Sequence, residues 1–280
     1  MERTLATRHT IRRGGRTVRA LAAGLALTVA APVVVQAHTP YVLPNQFTVT
    51  KRDHVTVESS FTEDFFTPDV VLRSDAFAVV TPSGEERKAE VTYLKDVALF
   101  EAALPEAGTY RLTTGERLGQ KGKVVKIDGR WQVLGENGDK TPPAGAEVQE
   151  YQSVTRADAY VTKGAASTKV VAPTGHGLEF VPQSHPNQID RQAGLAVQAL
   201  FDGKPLAGQT LTLYRAGTAY DPAGEKGVAT VTTAADGRAT LRPDQAGLYL
   251  VMGRYRTEAP AGAETPMRSY TYALTFEVPK

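Results

Sequence analysis

Histidine is the residue type in this sequence best suited to binding a ligand. Of the five histidines, four follow the apolar segment near the start of the chain: His38, His54, His176 and His185. Neutral imidazole is a common ligand of nickel, cobalt and copper ions. The chain has no cysteine, which excludes thiolate metal sites and disulfides. It also has no G-x-S-x-G, phosphate-loop or H-E-x-x-H motif, so we expect a non-catalytic protein rather than an enzyme.

His38 is the most informative of these residues because of what precedes it. Val35 and Ala37 are small residues of the kind that a signal peptidase accepts before its cut. A cut after Ala37 makes His38 the first residue, with two nitrogen donors, the α-amine and ring Nδ1, in one chelate ring. Their ordinary pKa values are about 7.7–8.0 and about 6.5, so a metal ion can displace both protons near neutral pH. Such a pair suits Ni(II), Co(II) and Cu(II). The alternative is that His38 follows the cut with its side chain in water.

His176 and His185 are further candidate metal ligands. They lie in "TGHGLEF" and "PQSHPNQ", nine residues apart, so a fully extended chain separates them by about 30 Å. One site holds both only if the chain doubles back, which Pro182 and Pro186 permit. A copper oxygenase with an N-terminal histidine would also need His176 to face His38. The alternative for His176 and for His185 is an exposed loop histidine.

His54 and the acidic segment that follows it favour structural roles. Strand alternation puts His54, Thr56 and Glu58 on one face, and about 13 Å separates the Cα atoms of His54 and Glu58, too far to share an ion. The pattern indicates a solvated polar face. The segment "ESSFTEDFFTPD" (58–69) mixes carboxylates with phenylalanines, and we interpret it as a loop whose phenylalanines fill a sandwich core.

The first 37 residues predict export from the cytoplasm. They carry six arginines and one acidic residue, and residues 20–35 carry no charge, which is typical of a secretory signal peptide. An uncleaved membrane anchor is the alternative. Without residues 1–37 the formal net charge changes from +2 to −3. We therefore expect a periplasmic protein that does not span the membrane after cleavage. No stretch combines basic with aromatic residues as nucleic-acid surfaces do, so we expect no nucleic-acid partner.

Beyond residue 38, short alternating segments separated by turn residues predict an all-β protein. Examples are "HVTVESS", "GTYRLTT" and "SYTYALTFEV", and no segment predicts an amphipathic helix longer than about two turns. Regularly spaced strands of this kind predict antiparallel β-sandwiches. We predict two Ig-like sandwich domains, residues 38–172 and 173–280. The first carries an inserted hairpin, "KVVKIDGRWQVLG", with Asp128–Gly129 as its turn.

Two pairs of similar segments support the division into two domains. "LPEAGTYRL" (104–112) resembles "RPDQAGLYLV" (242–251), because both place proline, an acidic residue and Ala-Gly before a tyrosine-bearing strand. "RADAYV" (156–161) resembles "RSYTYA" (268–273). The spacing favours two related domains, although turns of this composition also recur in unrelated β proteins.

An ordered set of motifs resembles a known family. "AHTPYVLP", "GLEFVP", "FDGKPLAGQTLTLYRAG" and "ADGRATLRPDQAGLYLV" are similar to segments of the bacterial periplasmic nickel/cobalt uptake transporter family. The resemblance covers nearly all of the chain after residue 37 and implies a β-rich periplasmic protein linked to divalent transition metals. His38 matches the early histidine of that family. "SHPN" departs from the more common Asn-Pro pattern, so the resemblance gives His185 no role as a ligand.

The sequence thus predicts a periplasmic protein that binds nickel or cobalt, with copper as an alternative, and delivers the ion to an inner- or outer-membrane transporter. The candidate ligands are His38, His176 and His185. A second hypothesis is a non-catalytic Ig-like module that docks an envelope receptor or glycan.

Overall fold

Alternating burial along the strands confirms the β-patterns of the sequence. In the computed structural model, which describes residues 38–135, 141–217 and 229–280, Val55 and Val57 are fully buried while His54 and Thr56 are exposed. The strand therefore has one face in the core and one face in solvent. The predicted signal peptide, residues 1–37, lies outside the described residues.

The first part of the chain forms mostly short strands, followed by the 16-residue β12. These are β1 (Thr39–Pro44), β2 (Thr48–Val49), β3 (His54–Thr62), β4 (Val70–Val71), β5 (Ala78–Val80), β6 (Glu86–Lys88), β7 (Thr92–Tyr93), β8 (Ala98–Ala103), β9 (Gly108–Thr113), β10 (Arg117–Ile127), β11 (Arg130–Val133) and β12 (Val148–Lys163). A one-turn 3₁₀ helix, Lys169–Val171, follows. The predicted domain boundary at residues 172/173 comes directly after this helix, and the division into two domains stays a prediction.

The second part of the chain also consists of mostly short strands, followed by two long ones, β19 and β20. Its strands are β13 (Leu178–Pro182), β14 (Leu195–Phe201), β15 (Lys204–Pro205), β16 (Thr210–Arg215), β17 (Ala229–Thr232), β18 (Arg238–Leu241), β19 (Gly247–Glu258) and β20 (Met267–Val278). The all-β class with several antiparallel sheets is thus confirmed. No helix in the described ranges has the length and apolar character needed to cross a membrane.

One long sheet runs through both parts of the chain. Its strand order is β17-β16-β19-β20-β12-β9-β5-β6. In addition, β10 pairs with β12 and with β11, and the short β2 pairs with β12. The two parts meet where β12 and β20 pair in parallel, with Tyr151 opposite Met267 and Ala159 opposite Thr275. The other described strand pairs are antiparallel, apart from β2 with β12. This parallel pairing departs from the antiparallel pattern that the sequence predicts.

Two smaller sheets cover opposite faces of the long sheet. One has the order β1-β3-β8-β7 with β4 beside β3, and the other contains β13, β14, β15 and β18. On β19, Leu250 and Met252 join the hydrophobic cluster of the first small sheet, whereas Tyr249 and Val251 join that of the second. Because side chains alternate along a strand, the two small sheets lie on opposite faces. The middle of β19 is consequently buried on both faces, as its unbroken apolar sequence requires.

The predicted hairpin turn is confirmed, and a second turn has the same form. Asp128 and Gly129 connect β10 to β11 with φ of 49° and 76°, and Ile127 pairs with Arg130. Asp202 and Gly203 connect β14 to β15 with φ of 48° and 73°. Positive φ at both central residues is the type I′ geometry that favours Asp-Gly in two-residue hairpins.

A charged cluster is buried where the two parts meet. Asp158 is 1% exposed, and its carboxylate accepts hydrogen bonds from Arg156 Nε at 3.2 Å and Nη2 at 2.8 Å. The Tyr272 hydroxyl donates to the same carboxylate at 2.9 Å. Arg156 Nη1 also donates to Thr174 Oγ1. This network ties β12 to β20 and to the segment before β13.

Candidate functional site

A groove of about 860 Å³ lies at the end of the first small sheet and is bordered by β3, β4, β10, β11, β12, β19 and β20. We call it the arginine groove because three arginines line it. The arginines are Arg117, Arg254 and Arg256. The lining also includes the hydroxyl-bearing side chains of Tyr151, Ser153, Thr155, Ser269 and Thr271, the apolar side chains of Phe61, Val70, Val71, Val133 and Leu134, and His38. The volume is within the range of small-molecule sites.

Strand register arranges the polar side chains of the groove in rows across the long sheet. Arg117 of β10 is opposite Thr155 of β12, Thr155 is opposite Thr271 of β20, and Thr271 is opposite Arg254 of β19. A second row contains Ser153, Ser269 and Arg256. The rows continue the face that Ala273 and Met252 bury against the first small sheet, so the face turns from apolar to polar where that sheet ends.

Backbone and ring contacts hold Arg117 and Arg256 in place. Arg117 Nε donates to the Arg73 carbonyl at 2.7 Å, and its guanidinium carbon lies 5.5 Å from the centre of the Phe61 ring. Arg256 Nη1 donates to the Trp131 carbonyl at 3.3 Å. The described lining of the groove contains three guanidinium groups and no carboxylate.

His38 lies at the rim of this groove beside a carboxylate. Thr39 pairs with Thr62, so the next residues outward, His38 and Glu63, lie opposite each other at the end of β1 and β3. His38 Nε2 is 3.7 Å from Glu63 Oε1, and the two side chains are 42% and 43% exposed. This distance is an ion-pair separation that is longer than a hydrogen bond. Nε2 therefore faces Glu63.

His176 lies apart from His38, in the turn before β13. Its side chain is exposed, and the backbone on either side is anchored to carboxylates. The Gly175 amide donates to Glu179 Oε1 at 2.9 Å, and the Gly177 amide donates to Asp202 Oδ1 at 2.9 Å. These bonds hold the turn and leave the imidazole at its tip.

His185 uses both ring nitrogens in hydrogen bonds. Nδ1 accepts from the Asn187 amide at 3.2 Å, so Nε2 carries the proton and faces Thr109 Oγ1 at 2.9 Å and the Ser167 carbonyl at 3.2 Å. Burial lowers the pKa of His185, and the hydrogen bond with Ser167 offsets part of this effect. A metal ion at His185 would have to displace one of these bonds.

The three candidate ligands do not form one cluster. In the ranges that the structure describes, no group of three or more histidine, aspartate and glutamate residues is arranged to hold a metal ion.

The acidic segment 58–69 spans the end of β3 and the loop that follows it. Phe65 is 5% exposed and belongs to the core of the first small sheet, where its ring centre is 4.8 Å from that of Tyr214. Glu58 accepts a hydrogen bond from the Tyr41 hydroxyl at 2.7 Å, and Asp69 accepts from the Glu63 amide. Phe65 fills the core and Phe61 and Phe66 pack partly buried against it, as predicted, but residues 58–62 belong to β3 rather than to a loop.

Sequence reasoning missed the arginine groove. The signal was "GRYRTE", in which Arg254 and Arg256 are two residues apart on a strand and hence on one face. What the sequence does not reveal is that β12, β20 and β10 bring serine, threonine and Arg117 beside them, because that neighbourhood depends on the parallel pairing of β12 with β20.

Comparisons with solved structures give weak likenesses. A DUF4785 family protein from Legionella pneumophila aligns at 11% identity with a TM-score of 0.25, over 76% of this chain and 50% of that one. Trypsin-activated alpha-2-macroglobulin from Escherichia coli aligns at 10% identity with a TM-score of 0.22, over 87% of this chain and 16% of that one. Alignments of this quality do not establish a shared fold.

The family comparison is more informative. No curated protein matches the sequence. A family profile does match, over residues 35–257, which is most of the chain and includes His38 and the arginine groove up to Arg256. The protein belongs to the family described as domain of unknown function DUF4198.

Proposed function

We propose that this protein is a non-catalytic, periplasmic carrier of a transition-metal ion, nickel or cobalt, with copper as an alternative. In this proposal export removes residues 1–37, His38 becomes the first residue, and the ion is passed to a membrane transporter. The similarity of the sequence motifs to the nickel/cobalt uptake family supports this role.

The main structural support for the proposal is the position of Glu63 beside the imidazole of His38. A histidine that binds a metal commonly donates its other ring N–H to a carboxylate, which fixes the tautomer and the ring orientation. Nε2 of His38 faces Glu63 Oε1 at 3.7 Å, so the carboxylate favours the proton on Nε2. Nδ1 then keeps its lone pair, and it is the ring nitrogen that closes a chelate ring with the α-amine.

The residues present fit a loosely held ion. His38 supplies two nitrogen donors after cleavage, Glu63 orients the ring, and both side chains are more than two-fifths exposed. In the described part of the chain no third histidine or carboxylate completes a protein cage. Water or the receiving transporter supplies the remaining donors, and an ion held by so few protein ligands is released readily, as a carrier requires.

Calorimetric titration with Ni(II), Co(II) and Cu(II) tests the proposal on two forms of the protein. One form begins at His38, and the other carries one additional alanine before it, which converts the α-amine into an amide. We expect the second form to bind at least tenfold more weakly. Equal affinities of the two forms would refute the chelate, as would a mature N-terminus at any other residue.

His54 provides the matched control for these titrations. It is also exposed and also lies beside a carboxylate, with Nδ1 2.8 Å from Asp53 Oδ1, but it has no α-amine. His54→Ala should bind metal as the unchanged protein does, and His38→Ala should not. If both substitutions weaken binding equally, the ion binds to exposed histidines in general.

A second candidate function is a module that docks an envelope receptor or glycan. A cleft of about 700 Å³ at the other end of β1 supports it, because Phe47, Leu99 and Leu248 lie there beside Glu58 and Glu277. Cosedimentation of EDTA-treated protein with purified cell envelopes tests this function. Glu277→Lys should weaken it and Glu86→Lys, on the exposed β6, should not; equal effects would refute docking through this cleft.

A further inference from the structure

The arginine groove has the composition of a binding site for a small molecule. It combines guanidinium groups, hydroxyls and a tyrosine in a space of about 860 Å³. We propose that this groove binds a small organic ligand carrying two or more oxyanion groups, carboxylate or phosphate. This inference does not depend on the metal-carrier role, since none of the groups that it uses belongs to the His38–Glu63 pair.

The first argument is the arrangement of charge. Arg117 and Arg254 end a row across four strands, β10, β12, β20 and β19, so their Cα atoms are about 14 Å apart at ordinary strand spacing. Arg256 lies in the next row on the same face. Guanidinium groups bind carboxylate and phosphate in a bidentate manner. Arginines on both sides of the groove thus suit a ligand with more than one anionic group.

The second argument is the row of hydroxyls between the arginines. Thr155 and Thr271 occupy the two middle positions of the first row, and Ser153 and Ser269 occupy the second. All four line the groove. A hydroxyl donates a hydrogen bond to an oxyanion as well as accepting one from a ligand hydroxyl. The middle of the groove is therefore polar without being charged, which suits the body of an acidic sugar or a hydroxy acid.

The third argument is independent of the charge. Thr155 is 8% exposed, and its Oγ1 has no hydrogen-bond partner among the described residues. Buried hydroxyls in proteins are nearly always hydrogen-bonded. Thr155 lines the groove directly between Arg117 and Thr271, so a ligand oxygen in the groove is a suitable partner for this hydroxyl.

Binding of two probes to metal-free protein tests the proposal. Exported protein treated with EDTA and desalted is titrated by calorimetry with citrate, as a carboxylate, and with inorganic pyrophosphate, as a phosphate; maltose is the neutral control. We expect saturable binding of at least one anion, weakened by added NaCl because salt screens such contacts, and no binding of maltose. Citrate alone indicates a carboxylate ligand and pyrophosphate alone a phosphate ligand. Binding of neither anion at millimolar concentration would overturn the proposal.

Three substitutions locate the binding. Arg254→Gln and Arg117→Gln should each weaken it about ten- to a hundredfold, which corresponds to the loss of a charge-assisted hydrogen bond. Thr155→Val keeps the side-chain shape and should weaken it several-fold, so it tests the groove even if an arginine variant does not fold. Arg238→Gln, at an exposed position on β18, is the control. Equal affinity of the control and all three groove variants would overturn the proposal.

Discussion

The hydroxyls of Tyr110 and Tyr249 form the same pair of hydrogen bonds, each with the backbone of the residue four positions earlier. Tyr110 donates to the Glu106 carbonyl at 2.7 Å and accepts from the Glu106 amide at 3.0 Å. Tyr249 accepts from the Gln245 amide at 3.2 Å, and its O–H is shared between the Gln245 carbonyl at 2.9 Å and Asp244 Oδ1 at 2.6 Å. This is the tyrosine corner of β-sandwich proteins. The two similar segments of the sequence therefore have the same local structure.

Replacing either corner tyrosine with phenylalanine should destabilise the protein while keeping its fold. Each ring is fully buried. Removal of the hydroxyl leaves a backbone N–H and a backbone C=O without their hydrogen-bond partner. We expect each substitution to lower the free energy of unfolding by about 1–3 kcal/mol, measured by urea denaturation. Tyr255→Phe is the control, since the described contact of Tyr255 is ring packing on Phe201. Equal stabilities of all three variants would contradict the corner's role.

Local patterns in the sequence predicted local structure well. The alternation from His54 to Glu58 gave the correct buried and exposed faces of β3, and Asp128–Gly129 gave the correct hairpin turn. The pairing of β12 with β20 joins Thr155 to Thr271, which are 116 positions apart. Such a contact depends on tertiary packing and leaves no periodic signal, so neither the long sheet nor the arginine groove could be predicted.

The same limit applies to His185. "PQSHPNQ" predicts a loop, and a loop histidine with free ring nitrogens is a reasonable candidate ligand. The hydrogen bonds of His185 to Thr109 and Ser167 join residues 76 and 18 positions away. Only the folded chain shows that both nitrogens are engaged.

The buried pair Arg156–Asp158 should make the protein sensitive to acid. Burial would raise the pKa of Asp158, but the charges of Arg156 and Arg111 outweigh it and lower the pKa. A lowered carboxyl pKa stabilises the folded state fully above about pH 5, and this contribution is lost as the pH falls below about 4. Asp158→Asn should lower the free energy of unfolding at pH 7 by about 3–5 kcal/mol, because it leaves Arg156 buried without its counter-ion.

Urea denaturation between pH 3 and pH 7 measures both effects. The stability of Asp158→Asn should change less with pH than that of the unchanged protein. Glu85→Gln breaks an ion pair with Arg87 that is exposed on both sides and should have no measurable effect. A variant of Asp158 as stable as the unchanged protein would show that the buried pair contributes nothing to folding.

His185 should remain neutral in the folded protein at pH values where an ordinary histidine becomes protonated. Burial lowers its pKa, so the unfolded chain takes up the proton first and stability falls as the pH decreases below about 6.5. NMR of the ring nitrogens should show the proton on Nε2 and a titration midpoint below 6.5. The same titration in urea, where the chain is unfolded, is the reference. A midpoint for His185 at or above its value in the unfolded chain would contradict the assigned hydrogen bonds.

Glu63 should influence metal affinity without itself being needed for folding. It lies 3.7 Å from His38 Nε2 with 43% of its side chain exposed, so Glu63→Gln should leave thermal stability unchanged. Loss of a carboxylate that orients a metal-binding imidazole commonly weakens binding about 10- to 100-fold, and we expect a Ni(II) affinity change of this size by calorimetry. Asp53→Asn removes the carboxylate beside His54 and should leave the affinity unchanged, because His54 has no α-amine. Equal affinities of Glu63→Gln and the unchanged protein would mean that His38 binds metal without help from Glu63.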